Sequence, residues 1–457
     1  MIPVLLANVA PVIVAALAPN EWLEGHSWWL YGFQAVIMSV SLLRRAKFVA
    51  VLFAPSCLAL VYSLLNLTLG SYLVPRGFGW NKEFTTTVAS INHYQQIVPY
   101  LLAANICLYM LAWRLIGSLN REMSDADQEP AQRQVGFWPL DEAILCCVYV
   151  AMFAGLSFAS IPSVFSLQMA IILLHSSDRS IRAGLLRTLS YFAYIGILIV
   201  TSFENKRELV MCLLAIFFVE SYRARSRFSA SFKNLLRFLA GTTAIFAVIV
   251  FASILRGYGN MDVTSLVGAV SAAPKYLSSE LFVDGITDNL ELNYNYGVTV
   301  TAMDHGLKGA IQYQLGATLI KPVFLLVPRD AVPYKPESMM QIFTREYAPD
   351  WWAEQGSMPV PFAAEAFLNF HWAGIGAILI VWYLIDRLFA VIFVARRQTF
   401  LVTSCMFLCA TVLMFARGSG LEQWVLYYLL AAPFIVWACL LRRRIDRDFV
   451  FRKRWVV

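Results

Sequence analysis

The sequence predicts an all-α, polytopic helical membrane protein with about twelve transmembrane helices and a long extracytoplasmic loop region containing short helices. Hydrophobic residues make up 59% of the chain and charged residues only 14%, whereas soluble proteins carry about a quarter charged residues. Apolar runs of about 17 to 25 residues recur, each long enough to cross a hydrocarbon core of about 30 Å. They lack the period-two alternation of a membrane β-barrel, so the spanning elements are predicted to be helices.

The basic residues that give the chain its net charge of +7 gather at the ends of apolar runs. Arg44, Arg45 and Lys47 follow the second run, and further clusters lie at 223–237 and 442–454. By the positive-inside rule these clusters mark cytoplasmic loops, and they do not indicate nucleic-acid binding. Both termini are therefore predicted to be cytoplasmic.

Taken in order, the apolar runs predict spans with the following approximate bounds: 2–18, 28–43, 48–69, 97–115, 143–158, 164–175, 185–203, 209–219, 238–255, 362–385, 400–415 and 424–441. The first run ends in a small-x-small pattern at Ala16–Ala18 but has no basic residues before it, and Pro19 follows directly. We therefore expect a retained helix there and not a cleaved signal peptide.

These spans divide the chain into three regions. Residues 1–255 form an N-terminal transmembrane part of nine helices, and residues 362–457 form the C-terminal transmembrane helices and a basic cytoplasmic tail. Between them, residues 256–361 form an extracytoplasmic loop region, in which 311–327 is predicted to be an amphipathic interfacial helix or a re-entrant segment. No Walker A, dinucleotide-binding or HExxH motif occurs in the sequence.

Under this topology several basic residues stand at helix ends on the outer side: Lys206, Arg207, Arg256, Arg329 and Arg417. A guanidinium stays charged and pairs bidentately with phosphate oxygens, so a converging set of arginines suits a lipid substrate that carries a diphosphate. The alternative is that these side chains contact lipid headgroups at the membrane surface.

The start of the tenth span carries Glu365, Asn369 and His371. A carboxylate within a membrane helix is costly unless it has a partner or a role, so Glu365 is a candidate general base toward an acceptor hydroxyl. Glu365 could instead accept hydrogen bonds from sugar hydroxyls, and the alternative to a functional role is an ion pair with one of the arginines. Asn369 lies four residues later on the same helix face. For His371, packing or an interfacial contact is the alternative, and His305 is a second histidine candidate in the outer region.

Tyr334 and Lys335 precede this span, and we predict that they line the entrance to the site. Aromatic residues of the outer region can stack on sugar rings, but they equally suit an interfacial aromatic belt.

The motifs Pro328-Arg329, Tyr334-Lys335-Pro336-Glu337, Gly356-Ser357 and Glu365-xxx-Asn369-Phe370 resemble the segment before a late helix in bacterial oligosaccharide repeat-unit polymerases. These are Wzy-type enzymes of the O-antigen polymerase/ligase superfamily. Lys206-Arg207 and Arg417-Gly418 are similar to two other landmarks of that family, and the resemblance covers about 204–420. His371 is a departure, because family members commonly have glycine directly after Asn-Phe.

The resemblance implies a glycosyltransferase in the bacterial inner membrane with its active site facing the periplasm. It would transfer a growing glycan from undecaprenyl diphosphate to the non-reducing end of a lipid-linked repeat unit, without nucleotide sugar, cofactor or metal. Glu365, His371 and Arg329 would be catalytic. Arg207, Arg256, Arg329, Arg417 and Lys206 would bind the diphosphate, and Tyr334, Lys335 and Asn369 the saccharide. A chain-length regulator and a flippase would be its protein partners.

Three other functions fit the same features, and one of them is a non-catalytic membrane scaffold in a polysaccharide assembly complex. A ligase of the same superfamily would transfer the finished glycan to a different acceptor. A transporter or flippase for lipid-linked oligosaccharide would need charges along a path through the spans, whereas most charges here lie at span ends or in the outer region.

Overall fold

A computed structural model describes residues 2–45, 48–77, 90–125, 266–279, 292–325 and 334–395, with shorter pieces at 250, 254, 282, 327, 332, 408, 411, 418, 420–426 and 429. The regular structure within these residues is helical, and they contain no strand. The predicted all-helical class is confirmed for this part of the chain.

The N-terminal part consists of long helices separated by short breaks: α1 (Ile2–Leu17), α2 (Asn20–Arg45), α3 (Phe48–Leu52), α4 (Pro55–Leu73) and α5 (Tyr94–Asp125). The predicted third span is two helices, because the chain is extended at Ala54 and Pro55 begins a new helix as its first residue. Residues 20–27, which lie between the first two predicted spans, are part of α2, which begins at Asn20.

The later helices, in chain order, are α6 (Leu266–Leu277), α7 (Leu292–Leu307), α8 (Ala317–Ile320), α9 (Met339–Tyr347), α10 (Pro349–Ala353), α11 (Phe362–Phe370) and α12 (Gly374–Ala395). Short 3-10 turns follow α4, α8 and α11. A capping box begins α9, in which the Gln341 amide donates to Ser338 Oγ and the Ser338 amide donates to Gln341 Oε1.

Three helical segments among the described residues are long and apolar enough to cross a membrane: Pro55–Arg76, Tyr94–Asn120 and Phe362–Val391. Large apolar side chains lie exposed on them and on α2, for example Val36 at 64% and Ile380 at 61%. Exposed apolar faces of this kind indicate contact with lipid. The predicted spans between 143 and 249 lie outside the described residues, so the count of twelve stays a prediction.

Helix α7 is a buried element inside the region predicted to be a polar outer loop. It packs against α4 and α11. Its apolar residues Tyr296, Val298 and Val300 are buried, and so is the polar Thr299. The Thr299 hydroxyl donates to the Asn295 carbonyl oxygen at 2.6 Å, which satisfies its hydrogen bond within the helix. The threonine and asparagine residues of this segment led to the prediction of a loop, although both residue types can be buried when their side chains have hydrogen-bond partners.

The single amphipathic or re-entrant helix predicted over 311–327 is replaced by smaller pieces. Residues 312–314 are irregular, α8 is only four residues long, and Lys321–Phe324 is a 3-10 turn. Pro322 has no amide hydrogen to continue an α-helical hydrogen-bond ladder, which accounts for the change of helix type.

Contacts divide the chain into two compact units. The first contains Met1–Asn120, Arg225–Asp386 and Met414–Gln423, which include Thr318, Lys321, Glu365, Asn369, His371 and Glu422. Within it, α4 and α12 are joined by Asp386, whose carboxylate accepts hydrogen bonds from the Ser56 amide at 3.0 Å and the Ser56 hydroxyl at 2.7 Å. In the second unit, Trp424 Nε1 donates to Thr411 Oγ1 at 3.2 Å.

Candidate functional site

Helix α11 positions the two polar residues that the sequence singles out at this span. It begins after Pro361, whose carbonyl oxygen accepts hydrogen bonds from the Ala364 and Glu365 amides. Glu365 and Asn369 are four residues apart and face the same neighbour, Thr318. The structure therefore brings these two predicted site residues together on one helix face.

Glu365 is buried, with 3% of its surface exposed, and its carboxylate is held by a hydroxyl. Thr318 Oγ1 donates to Glu365 Oε1 at 2.7 Å. Asn369 Nδ2 donates in turn to Thr318 Oγ1 at 2.8 Å and to the Glu365 carbonyl oxygen at 2.8 Å. A buried carboxylate needs such partners, because removing an unpaired ion from water costs several kcal/mol.

Asn369 also fixes the backbone of the segment that carries Thr318. Its Oδ1 accepts a hydrogen bond from the Gly316 amide at 2.9 Å. The amides of Gln314 and Leu315 donate to the carbonyl oxygens of Leu368 and Asn369. The side chain of Asn369 is thus fully engaged within the protein, and its predicted contact with saccharide stays a prediction.

Gly316 makes this docking geometrically feasible. Its φ of 90° is left-handed, and a Cβ at this position would stand 3.0 Å from the Phe370 ring. Both constraints favour glycine. The residue before it, Leu315, also has a positive φ of 48°, so the turn that presents Thr318 to Glu365 is tightly specified by its backbone.

A buried ion pair lies close to this hydrogen-bonded group. Lys321 Nζ is 2.7 Å from Glu422 Oε2 and donates to Gln341 Oε1 at 2.8 Å. Both charged side chains are about nine-tenths buried, and both are near enough to interact electrostatically with Glu365. The site thus contains two carboxylates and one ammonium group in a poorly solvated environment, where electrostatic interactions are strong.

His371 ends α11 in a strained conformation. Its φ of 53° and ψ of −135° lie in a region that is almost restricted to glycine. The imidazole packs on the Phe367 ring at 4.8 Å and meets the edge or face of the Tyr313 ring at 5.5 Å. The aromatic packing that the sequence left open for His371 is therefore present. The strain also gives a physical reason why glycine would suit this position.

The tenth predicted span is broken at this histidine. A 3-10 turn, His371–Ala373, separates α11 from α12. A discontinuous helix leaves backbone groups available within a membrane-spanning segment, and such breaks occur where the backbone is buried in protein or lines a cavity. His371 lies at this break with its side chain half-buried.

Tyr334 and Lys335 lie outside the Glu365 group. The Tyr334 side chain is 95% exposed, and Lys335 Nζ donates to the Val327 carbonyl oxygen at 3.3 Å. Their predicted contact with saccharide stays a prediction. Lys206, Arg207, Arg256, Arg329 and Arg417 lie outside the described residues, so their convergence also stays a prediction.

His305, the second histidine candidate, lies near the end of α7. Its ring meets the Tyr347 ring at 5.8 Å. Burial lowers the pKa of His305, and Lys308 lowers it further, while Asp304 and Glu346 act in the opposite direction. Burial raises the pKa of Tyr313. Both groups are outside the three candidate spans.

The sequence did not indicate Thr318, Lys321 or Glu422. Thr318 and Lys321 belong to none of the motifs identified in the sequence, and Glu422 is distant in sequence from Lys321. A lysine next to proline inside an apolar stretch, Ile320-Lys321-Pro322, is the one local signal that could have been noticed, because a charge there needs a counter-charge.

Among the described residues, no three His, Cys, Asp or Glu side chains come together as a metal site. The chain matches no family model, no curated protein and no solved structure.

Proposed function

We propose that this chain is an integral-membrane glycosyltransferase that polymerises lipid-linked oligosaccharide repeat units at the outer leaflet of a bacterial inner membrane. The observation that carries the proposal is Glu365, a buried carboxylate in the first helix of a membrane-spanning segment that is broken at His371. Thr318 donates to this carboxylate, and Asn369 donates to Thr318. An ionisable residue inside a membrane-spanning segment is costly to keep there, so a functional role is the first expectation for it. The resemblance to Wzy-type polymerases supplies the reaction.

In the proposed reaction, the donor is a glycan chain on undecaprenyl diphosphate and the acceptor is a lipid-linked repeat unit. The acceptor oxygen forms a bond to the anomeric carbon of the donor as the bond from that carbon to the diphosphate oxygen breaks. The acceptor's proton passes to Glu365, and the bonding electrons leave with undecaprenyl diphosphate. Arg207, Arg256, Arg329 and Arg417, with Lys206, would stabilise the charge on that leaving group.

The packing around Glu365 sets a condition on this role. Thr318 holds Oε1, and the side chain is 3% exposed. An acceptor hydroxyl can therefore reach the carboxylate only if contacts that bury it open, and the Thr318 hydrogen bond is one of these contacts.

The test is the polysaccharide banding pattern of a strain that lacks the gene, complemented with wild type or variants. Deletion should leave single repeat units, and wild type should restore a ladder. Glu365→Gln, Arg207→Ala and Arg329→Ala should fail to restore it at normal protein level in the membrane. Glu337→Gln is the matched control, because that carboxylate is exposed and paired with Arg345.

Two results would redirect the proposal. Accumulation of long carrier-linked chains in the deletion strain would indicate the ligase reaction. Unchanged polymer length with blocked export would indicate a transporter. A normal ladder with Glu365→Gln would remove that residue from the chemistry.

A further inference from the structure

The segment 312–325 is turned inside out compared with a loop that lies in water. Its exposed aliphatic side chains are Leu315 at 82%, Ile320 at 53% and Val323 at 74%. Its one charged residue, Lys321, is only 9% exposed. A segment surrounded by water normally has the opposite arrangement, because charged side chains stay hydrated and large aliphatic ones are buried.

The polar groups on the buried side of this segment all have partners that hold it in place. Thr318 Oγ1 donates to Glu365 Oε1. Lys321 Nζ pairs with Glu422 and donates to Gln341 Oε1. Turning the segment over to bury its aliphatic side chains would break these contacts and leave charged groups unpaired, which costs several kcal/mol per ion. The exposed aliphatic face is therefore fixed by the fold.

The backbone of the same segment is joined to a candidate membrane span. The amides of Gln314 and Leu315 donate to the carbonyl oxygens of Leu368 and Asn369 at 3.0 and 3.1 Å. Both carbonyl groups belong to Phe362–Val391, which is long and apolar enough to cross a bilayer. The segment therefore lies beside one part of that span, at the end of α11.

The side chains around this junction place it at the level of the lipid headgroups. Trp372 follows α11 in the span and is exposed, and Tyr313 in the segment is exposed as well. Tryptophan and tyrosine are enriched at this level of a membrane. Further along the span, Ile380 and Leu384 expose aliphatic side chains that suit the hydrocarbon core. Leu315 is thus attached to a lipid-facing span where the interface begins.

A second copy of the chain fits the exposed face less well than lipid does. A stable protein interface buries about 800 Å² on each partner, and three aliphatic side chains offer far less than that. Lipid requires no minimum area and no matching shape, and an apolar face at the boundary between headgroups and acyl chains is stabilised in proportion to its buried area.

We propose that Leu315, Ile320 and Val323 insert into the outer interface of the bilayer and contact the acyl chains of its phospholipids. The proposal concerns the membrane and does not depend on the reaction proposed above. One side of the segment then holds Glu365 through Thr318 while the other side is held by lipid. The bilayer would thereby fix the height of the carboxylate above the hydrocarbon core.

Photolabelling of the wild-type full chain in phosphatidylcholine nanodiscs tests the contact without any substitution. One probe is a phosphatidylcholine with a diazirine on an acyl chain, and the other is a small water-soluble diazirine. Mass spectrometry gives the ratio of acyl-chain to aqueous labelling. The ratio at 315–323 should exceed that at 337–346 by about tenfold, the factor that corresponds to removing one large aliphatic side chain from water.

Two stretches of the same chain calibrate this ratio. The water-facing reference is 337–346, because Glu337 and Arg345 form an exposed ion pair there. The lipid-facing reference is 379–384, which contains the exposed Leu379, Ile380 and Leu384. A ratio at 315–323 equal to that of the water-facing reference would overturn the proposal.

A charged variant provides a second measurement. Ile320→Asp combined with Val323→Asp should lower acyl-chain labelling at 315–323 by about tenfold, because carboxylates do not remain among acyl chains. Gln355→Asp is the control, since Gln355 is exposed and aspartate tolerates its positive φ of 62°. Acyl-chain labelling that ignores both aspartates would contradict the proposal. Should the double variant fold poorly, the wild-type ratio decides alone.

Two further results would assign the face to a different occupant and overturn the contact with phospholipid. The first is absent acyl-chain labelling together with a dimer mass in native mass spectrometry, which would indicate a second copy of the chain. The second is labelling by an added polyprenyl diphosphate that carries a diazirine, with none by the phosphatidylcholine probe, which would indicate a site for a lipid substrate.

Discussion

Thr318 Oγ1 and Glu365 Oε1 are joined by a 2.7 Å hydrogen bond that ties the α8 turn to α11. The single hydroxyl proton of Thr318 is donated in the hydrogen bond to the carboxylate, and the same hydroxyl oxygen accepts a hydrogen bond from Asn369 Nδ2. The three side chains therefore form a directed chain in which each hydrogen bond depends on the next. The position of the carboxylate is set by a residue 47 positions earlier in the sequence.

Replacing Thr318 tests this chain. Thr318→Val keeps the shape but removes the hydroxyl, leaving Glu365 and Asn369 with unmet hydrogen bonds. We expect the free energy of unfolding to fall by about 1–3 kcal/mol, measured by thermal unfolding in nanodiscs. Thr318→Ser retains the hydroxyl and should recover most of the loss. Equal stability of the valine and serine variants would show that the hydrogen bond contributes nothing.

The Lys321–Glu422 pair can be measured by a double-mutant cycle. Lys321→Met leaves Glu422 buried without its counter-charge, which should lower the free energy of unfolding by about 3–5 kcal/mol. The double variant Lys321→Met with Glu422→Gln should be more stable than Lys321→Met alone. Arg345→Met breaks an exposed pair with Glu337 and should change stability by only about 0–1 kcal/mol. Additive losses in the cycle would contradict coupling between Lys321 and Glu422.

The strain at His371 predicts opposite effects on stability and activity. His371→Gly places glycine at a φ of 53° and should raise the free energy of unfolding by about 1 kcal/mol, offset in part by lost ring packing. Polymer formation should fall if the imidazole takes part in the site. Ala373→Gly is the control, since its φ is not positive, and it should destabilise by about 0.5–1 kcal/mol. A glycine variant less stable than wild type would show that the packing outweighs the strain.

His305 predicts a loss of stability in acid. Because burial lowers the pKa of His305 in the folded protein below its ordinary value of 6.5, the unfolded chain binds the proton more readily. The contribution of neutral His305 is therefore complete above the unfolded pKa and declines as pH falls from there toward the folded pKa. His305→Phe keeps the ring against Tyr347 and removes the titration. The difference in unfolding midpoint between wild type and this variant should grow in the variant's favour as pH is lowered, and a constant difference would contradict the prediction.

Sequence patterns predicted the helical class and the helices whose apolar character extends all around. The first helix was predicted as 2–18 and is Ile2–Leu17. Helix α5 is longer than its apolar run, Tyr94–Asp125 against 97–115, because polar residues continue the helix beyond the apolar window. Hydropathy indicates which residues favour a lipid environment, but it says little about where the backbone hydrogen bonds of a helix end.

The candidate site was predicted only in part. Spacing along one helix was enough to place Glu365 and Asn369 on a common face, because helical geometry is local. Thr318, Lys321 and Glu422 come from other segments, and their approach depends on tertiary packing. Helix α7 was missed for a related reason, since the partner of the buried Asn295 side chain is Tyr62 on α4, while Thr299 finds its partner in the helix's own backbone.

The contact between Gly418 and α11 has a consequence for biogenesis. The Val360 amide donates to the Gly418 carbonyl oxygen, and a Cβ on Gly418, whose φ is 107°, would clash with the backbone of Val360 and Pro361. Gly418 lies four residues before Glu422, which pairs with Lys321. The ribosome makes Glu422 about 100 residues after Lys321, and at typical synthesis rates this is a delay of about 5–20 s. During this interval of synthesis Lys321 lacks its counter-charge, so the ion pair cannot stabilise the turn after α8 until Glu422 has been made.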